Sequence, residues 1–258
     1  MTSQTLVLPQ GTLRFSQTFS YPPLILVAGG RSPGASWLRD LLRPGVRAVW
    51  SVDRGARWCR QAGILPQRFV GDGDSLGEED RQWLQDHRVP CRIYPVAKNL
   101  TDLQLALFEA AEMFPHLPTV VTGTGGGRFD HAFSAVFSAL WAHRRGGHVL
   151  AMGDELELLI PLRGPSEVLL SFAPLPDVVS TLAMTRECTG VTLQGTEWPL
   201  ENVRLLLDEP YAISNRLTAK AQETSFSVKK GWLGVYAAWG IDKQTSSGEK
   251  GTSKSGLS

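Results

Sequence analysis

Two carboxylates one residue apart stand out in the stretch Arg68-Phe69-Val70-Gly71-Asp72-Gly73-Asp74-Ser75-Leu76. An apolar run ends abruptly in glycine, and the aspartates come next. If Phe69-Val70 closes a strand, Asp72 and Asp74 stand at its carboxyl end, the edge at which open α/β sheets bind ligands. In extended chain, residues i and i+2 point to the same side, so this spacing aims both carboxylates at one small volume. Two anions that close repel each other unless a cation lies between them or one takes a proton. Hard oxygen ligands suit Mg²⁺, which keeps several waters and also binds substrate phosphate. The plain alternative is a polar turn after a strand, since Asp and Gly are turn formers.

Two further stretches carry related chemistry. In Lys98-Asn99-Leu100-Thr101-Asp102-Leu103-Gln104, Thr101 and Gln104 form a capping box that starts a helix. Asp102 then falls in the first helical turn, where a carboxylate also suits the helix dipole with no catalytic duty. The second stretch runs from the apolar Thr119-Val120-Val121-Thr122 into Gly123-Thr124-Gly125-Gly126-Gly127-Arg128-Phe129-Asp130-His131 and on to a helix. Strand, glycine-rich loop and helix make a phosphate cradle, because glycine lets the backbone approach an anion and the helix start offers free N–H groups. Arg128 adds a guanidinium that matches phosphate geometry, and His131 is either a ligand or a packed first-turn residue. Neither a P-loop nor a G-x-G-x-x-G follows the first strand.

The elements that must position these groups read as alternating α and β. Strands are expected at 24–28, 47–53, 68–71, 91–96, 119–122 and 148–154, with helices at about 35–43, 55–63, 77–87, from 102, and after 128. Short continuous apolar runs such as Leu24-Ile25-Leu26-Val27-Ala28 suit a parallel sheet covered on both faces. Four aspartates, Asp53, Asp72, Asp74 and Asp102, then stand at or just past the carboxyl ends of separate elements. With the glycine loop and Arg128 they point to a metal–phosphate centre, and so to phosphoryl or diphosphoryl transfer. Lys98 adds a further point charge for phosphate. The expected core stripes are Leu103, Ala106, Leu107, Ala110 and Phe114 on one helix, and Phe133, Val136, Phe137, Leu140 and Trp141 on the next. Residues 1–20 read as a short strand or an arm.

From about residue 161 the helical period disappears and short β-rich runs punctuated by Pro and Gly take over, the pattern of an antiparallel sandwich or barrel. The expected organisation is therefore an α/β, Rossmann-like, mostly parallel domain over 1–160, an all-β sandwich over 161–241, and a disordered Ser/Gly/Thr/Lys-rich tail over 242–258. The 258 residues carry a formal net charge of +1, which argues against a nucleic-acid footprint. Cys59, Cys91 and Cys188 form no CxxC pair, so free thiols in a reducing compartment are expected rather than a zinc site or disulfide framework. Met1-Thr2-Ser3-Gln4 lacks the basic region and apolar core of a signal peptide. No stretch approaches about 18 uninterrupted apolar residues. A cytoplasmic protein without membrane contact is the expectation.

The order of these motifs resembles the thiamine pyrophosphokinase (thiamine diphosphokinase) family. Asp53-Arg54-Gly55-Ala56 is similar to the family's D-G-G-A turn, Gly71-Asp72-Gly73-Asp74-Ser75 to its G-D-x-D-S, and Lys98-Asn99-Leu100-Thr101-Asp102 to its K-D-x-T-D. Gly126-Gly127-Arg128-Phe129-Asp130-His131 matches its G-G-R-x-D-H. Ser171-Phe172-Ala173-Pro174, the hairpin from Gly190 to Leu200, Ser214-Asn215 and the final strands with Gly231 resemble its β half, so the likeness covers about residues 24–240. The resemblance implies transfer of the β,γ-diphosphate of ATP to the hydroxyethyl oxygen of thiamine, leaving AMP. It implies Mg²⁺ held by Asp72, Asp74 and Asp102 with Asp53 nearby. Lys98, Thr122, Gly125, Gly126, Gly127, Arg128 and His131 would face ATP. Asp130 would contact thiamine or position its hydroxyl, and Ser214 and Asn215 would line the thiamine pocket. A homodimer is implied, in which the β domain of one subunit completes the cleft of the other.

Two positions depart from the family pattern: Arg54 stands in place of a glycine and Asn99 in place of an aspartate. Trp198 or Trp232 could stack on a thiamine ring. The rival readings are a Mg²⁺-dependent phosphohydrolase and a non-catalytic binder of thiamine or nucleotide. The clustered negative charge speaks against the latter.

Overall fold

The computed structural model describes residues 2–218 and 224–241; the expected tail, 242–258, lies outside them. In chain order the elements are β1 (Thr2–Leu8), β2 (Gly11–Ser20), β3 (Leu24–Val27), α1 (Ala35–Leu42), β4 (Ala48–Val52), α2 (Gly55–Ala62) and β5 (Arg68–Gly71). Next come α3 (Glu78–Asp86), β6 (Cys91–Ile93), α4 (Asp102–Met113), β7 (Pro118–Thr122), α5 (Phe129–His143), β8 (His148–Gly153) and β9 (Glu157–Arg163). The chain continues through β10 (Ser166–Phe172), β11 (Val178–Ala183), β12 (Glu187–Gln194), β13 (Leu200–Leu206), β14 (Thr224–Val228) and β15 (Trp232–Ala238).

The strands make two sheets. One has nine strands in the order β11-β15-β9-β8-β7-β3-β4-β5-β6, and the other six in the order β1-β2-β10-β14-β12-β13. From β8 through β6 the nine-stranded sheet is parallel, while β9, β15 and β11 extend it as an antiparallel wing. The six-stranded sheet is antiparallel in every described pairing. Strand order reverses between β3 and β7. In open α/β sheets such a switch point opens a crevice at the carboxyl ends.

Side-chain alternation explains why the parallel wing is covered on both faces. Ile25 and Val27 of β3 pack with Trp37, Leu38 and Leu41 of α1 and with Cys59 of α2. Leu24 and Leu26 point the other way, onto Leu105 and Leu107 of α4 and Ala135 and Ala139 of α5. Each such fully buried aliphatic side chain contributes roughly 1.5–3 kcal/mol, so a strand that is apolar at every position holds a helix layer on each side. The capping box at the start of α4 is present: Gln104 N–H donates to Thr101 Oγ1 at 3.2 Å, and Thr101 N–H donates to Gln104 Oε1 at 3.0 Å.

Several expectations are corrected here. Residues 2–20 are a hairpin that joins the six-stranded sheet by pairing β2 with β10. The change of texture near residue 160 is therefore not a break between sheets, since β9, β11 and β15 continue the first sheet while β1 and β2 belong to the second. The hairpin implied from Gly190 to Leu200 is that of β12 and β13, with β12 starting three residues earlier at Glu187 and the register shifting between Thr189 and Val191. Of the stripe expected in the core on α5, Leu140 is buried and Val136, Phe137 and Trp141 are half-buried against the core, but Phe133 is 54% exposed, and Ala135, Ser138, Ala139 and Ala142 take the most buried positions. Small residues let this helix sit close to the sheet and to the alanine-rich face of α4.

Candidate active site

Strands β4, β5 and β6 are neighbours, so the residues just past their carboxyl ends are brought together. Asp53 follows β4 directly in a left-handed conformation, with φ of 47°, and its N–H donates to Val70 O at 3.1 Å. Asp72 follows β5, and Asp102 opens α4 after the loop from β6. Carboxylate oxygens of Asp53, Asp72 and Asp102 all lie within 4.8 Å of one another. Lys98 Nζ donates to Asp72 Oδ2 at 2.7 Å and stands 2.9 Å from Asp102 Oδ1.

Asp74 is placed differently from the extended-chain expectation. Gly73 adopts φ of 73°, which ends the strand geometry, and the N–H of Asp74 turns back to donate to Asp72 Oδ1 at 3.1 Å. Asp74 is thereby exposed at the rim of the cluster, beside Asp72 and outside the tight threesome. A mainly apolar cavity of about 420 Å³ opens next to it, lined by Phe69, Asp72, Asp74, Leu76, Leu84 and Ile93 among others. A second cavity of about 250 Å³, between β2, β9 and the end of α5, is lined in part by Trp232 and lies apart from the carboxylates and the glycine loop.

The electrostatics of this corner are unbalanced. Four carboxyl groups share one ammonium. Burial, then repulsion from Asp102 and Asp72, pushes the Asp53 carboxyl up to about 8. Burial also works to raise Asp72, but hydrogen bonds from Lys98 and from Asp74 N–H outweigh it and hold Asp72 below the usual carboxylate range. Asp74 is raised by its contact with the Asp72 carboxyl. Asp53 Oδ1 is buried with no hydrogen-bond partner. A buried, unpaired carboxylate oxygen costs several kcal/mol, and a hard cation would relieve that cost. All the available donors are oxygens, which fits Mg²⁺ and not a softer metal.

The glycine loop after β7 lies at the switch point, laced to the loop after β3: Gly30 N–H donates to Gly123 O at 2.7 Å and Arg31 N–H to Gly125 O at 2.6 Å. Thr122 is fully buried and its hydroxyl has no hydrogen-bond partner. Gly126, Gly127 and Arg128 are exposed. The Arg128 side chain is 74% exposed and pairs with Asp130, Nε donating to Oδ1 at 3.0 Å, rather than with the acidic cluster. Asp130 also accepts His131 N–H at 3.0 Å, so these three residues form one exposed first turn of α5.

The two residues expected for a thiamine pocket sit elsewhere in the chain. Asn215 bridges to Val179 of β11, at the far end of the nine-stranded sheet. It is 3% exposed, and its amide is consumed by the hairpin: Nδ2 donates to Trp198 O at 2.7 Å, and Oδ1 accepts Trp198 N–H at 3.2 Å and Arg216 N–H at 2.8 Å. Asn215 therefore fixes its own turn and the position of Trp198, which is 59% exposed. Ser214 beside it is exposed, in a left-handed conformation with φ of 57°. Trp232 is packed edge-on against His143 with ring centroids 5.0 Å apart. Of the eight tryptophans in the chain, only Trp198 is among the exposed large side chains of the described residues.

Both departures from the family pattern find a place. Arg54 has ordinary right-handed dihedrals, φ −55° and ψ −15°, because the left-handed step of that turn is taken by Asp53. Asn99 is exposed between Lys98 and the start of α4. The sequence did not single out Arg31, Asp154 and Glu157, which pair with one another beside the glycine loop.

Fold and site together define an α/β protein that gathers carboxylates and a glycine loop along the carboxyl edge of a parallel sheet. Comparison with known proteins narrows the class. The chain belongs to the thiamin pyrophosphokinase family: residues 44–150 match the catalytic-domain model of that family and residues 170–233 its vitamin B1 binding-domain model. A thiamine pyrophosphokinase of Bacillus subtilis (strain 168) is 29% identical over 186 residues, covering 72% of this chain and 85% of the relative. The crystal structure of Bacillus subtilis thiamine pyrophosphokinase superposes with a TM-score of 0.71 at 25% identity, covering 84% of this chain and 99% of that one. That of Geobacillus thermodenitrificans gives 0.69 at 27% identity, covering 84% and 98%. The yeast enzyme shares the fold at 12% identity, with a TM-score of 0.70 over 85% of this chain and 88% of that one.

Proposed function

We propose that this chain transfers the diphosphate of ATP to the hydroxyl of thiamine, giving thiamine diphosphate and AMP. The hydroxyl oxygen attacks the β-phosphorus, the bond from that phosphorus to the α,β-bridging oxygen breaks with AMP leaving, and the hydroxyl proton passes to solvent. The observation that carries this reading is the convergence of Asp53, Asp72 and Asp102 within 4.8 Å at one sheet edge, in a chain of this family.

Asp53, Asp72 and Asp102, with Asp74 at the rim, would hold Mg²⁺, which neutralises charge between phosphate oxygens when bound. Lys98, fixed between Asp72 and Asp102, adds a point charge facing the polyphosphate. The loop Gly123–Gly127 and the start of α5 offer backbone N–H groups to phosphate. Arg128, exposed and paired only with Asp130, is free to exchange that partner for phosphate, and Asp130 then contacts thiamine or positions its hydroxyl. Thr122 and His131 complete the nucleotide side.

The parallel wing is read as a Rossmann-like nucleotide unit, and the strands after residue 160 as the sandwich that takes thiamine. Ser214 lines the thiamine pocket, and Asn215 shapes it by holding Trp198. Seven strand spacings separate β11 from β5, or roughly 34 Å at about 4.8 Å each. This separation along the sheet supports a cleft whose carboxylates and Ser214 come from different chains. A homodimer in which each subunit's β half faces the other's carboxylates brings them together.

Product analysis after mixing protein, ATP, Mg²⁺ and thiamine tests the reaction. AMP and thiamine diphosphate formed in equal amounts support it. ADP or phosphate released independently of thiamine would point to a phosphohydrolase, and saturable thiamine binding without turnover to a binder.

A further inference from the structure

The glycine loop does not hold its own position. It leans on Arg31, whose N–H donates to Gly125 O at 2.6 Å and whose side chain is itself clamped. Arg31 Nε and Nη2 donate to Asp154 Oδ2 and Oδ1 at 2.8 and 2.9 Å, and Nη2 also donates to Glu157 Oε1 at 2.5 Å. The Asp154 side chain is 1% exposed, and its Oδ1 also accepts the N–H groups of Leu156 and Glu157 at 2.9 and 3.2 Å, which fixes the turn between β8 and β9. The loop presses directly on this trio. A Cβ on Gly125 would come 2.0 Å from Glu157 Oε1, and one on Gly126 would come 2.8 Å from Arg31 Cβ.

We propose that Arg31, held by Asp154 and Glu157, is a positioning residue that sets the height of the Gly123–Gly127 loop for the polyphosphate of ATP. The guanidinium charge is already matched by two carboxylates, so Arg31 acts through the loop rather than as a phosphate ligand. The planar fork meets both oxygens of Asp154 in one plane and still reaches Glu157, a bidentate contact that the point charge of an ammonium does not reproduce. The clamp ties together the loop after β3, the loop after β7 and the turn at which the parallel wing gives way to the antiparallel one. Arg31, Asp154 and Glu157 all lie outside the spans 44–150 and 170–233 that match the family models. The inference rests on reading the glycine loop as the phosphate cradle.

The test is calorimetric binding of ATP with Mg²⁺, and separately of thiamine, to the full-length wild type, Arg31→Lys and Glu157→Gln, together with KM for both substrates and Tm. Glu157 is partly exposed, so its isosteric amide keeps the fold even if Arg31→Lys does not. A displaced loop predicts ATP affinity weakened about tenfold in Arg31→Lys and about threefold in Glu157→Gln, since small displacements at a phosphate site are costly. Thiamine affinity stays within about twofold in both, and the Tm of Glu157→Gln within about 3 °C, the size of a surface change. Unchanged ATP affinity in both variants overturns the proposal. So does an equal weakening for ATP and thiamine that accompanies a fall in Tm, which is the mark of a merely structural role. A wild type that binds ATP yet makes no AMP would sink the assigned reaction while the binding data still decide on Arg31. A wild type with no affinity for ATP would sink both.

Discussion

Gly71 and Asp53 are mutually exclusive with any side chain at position 71: a Cβ there would lie 2.0 Å from Asp53 Oδ1 and 3.3 Å from Asp53 N. The glycine that ends β5 thus leaves room for the carboxylate that ends β4, and the G-D-x-D-S spacing has a steric cause. Gly71→Ala is expected to displace Asp53, remove turnover, and cost about 2–3 kcal/mol, or roughly 4–12 °C in Tm at this chain length. Asp53→Ala in the same chain should recover part of the Tm and none of the activity. Equal Tm values for the single and double variants, measured by calorimetry, would show that the two positions do not collide.

Asp72→Asn and Asp74→Asn are each expected to lower kcat about a thousandfold, the scale on which preorganised charge at a reacting phosphate acts. Asp53→Asn should do the same while raising the Tm of the metal-free protein, because it removes a buried carboxyl pushed up by burial and by its acidic neighbours. A gain of about 1 kcal/mol corresponds to about 2–4 °C. A lower Tm in the absence of metal would mean that the ionised Asp53 stabilises the fold.

Arg128→Ala should raise KM for ATP about tenfold, as the loss of one charge-assisted phosphate contact does. KM for thiamine and Tm should scarcely move, since the side chain projects from the surface and pairs only with Asp130. Initial-rate measurements over both substrates decide this, and an unchanged response to ATP would remove Arg128 from the nucleotide side.

Subunit mixing tests the shared cleft. Asp72→Asn and Asn215→Ala chains are each expected to be inactive. In a randomly mixed population half the dimers pair one of each, and each such dimer has one intact cleft, so activity should return to roughly a quarter of wild type. No recovery after unfolding and refolding the two together would place all the needed residues in one chain.

Asp80 provides a pH dependence away from the site. It is buried between α2 and α3 and takes hydrogen bonds from Arg57 and Arg60 at 3.0 and 2.8 Å. Burial works to raise this carboxyl, but the two guanidinium groups outweigh it and hold it below its usual value of 3.8. A carboxyl lowered in the folded state stabilises the protein above the unfolded value, and this stability is lost as pH falls through the folded one. Asp80→Asn should therefore lose about 2–4 kcal/mol at neutral pH and show a shallower fall in stability below about pH 4. Parallel slopes for the two proteins in denaturant titrations at several pH values would contradict this.

Much of this is legible in the chain because the parallel wing is built from local signals. Apolar runs closed by glycine mark β3, β5 and β7, a capping box marks α4, Asp53 and Asp72 each sit one residue past a strand end, and Asp102 opens α4. The rest depends on contacts distant in sequence. Nothing local in residues 2–20 says that they pair with β10, and nothing near residue 160 says that β9 and β15 return to the first sheet. Extended chain would point Asp74 the same way as Asp72, but Gly73 takes a left-handed turn that a run of letters does not show. The exposure of Phe133 on α5 is hard to foresee because an aromatic side chain outweighs alanine in any count of hydrophobicity, whereas close packing selects Ala135, Ala139 and Ala142. Arg31 reads as plain loop because its partners lie more than a hundred residues away.

The cation site at the ends of β4, β5 and α4 is probed most directly by Mn²⁺ titration followed by electron paramagnetic resonance, with ATP present and Mn²⁺ standing in for Mg²⁺. Wild type should bind the ion saturably, and Asp53→Asn, Asp72→Asn and Asp102→Asn should each weaken binding by tenfold or more, about 1.4 kcal/mol, with the fold intact. Binding of equal strength in all four proteins would mean that these carboxylates converge for some purpose other than holding a divalent ion.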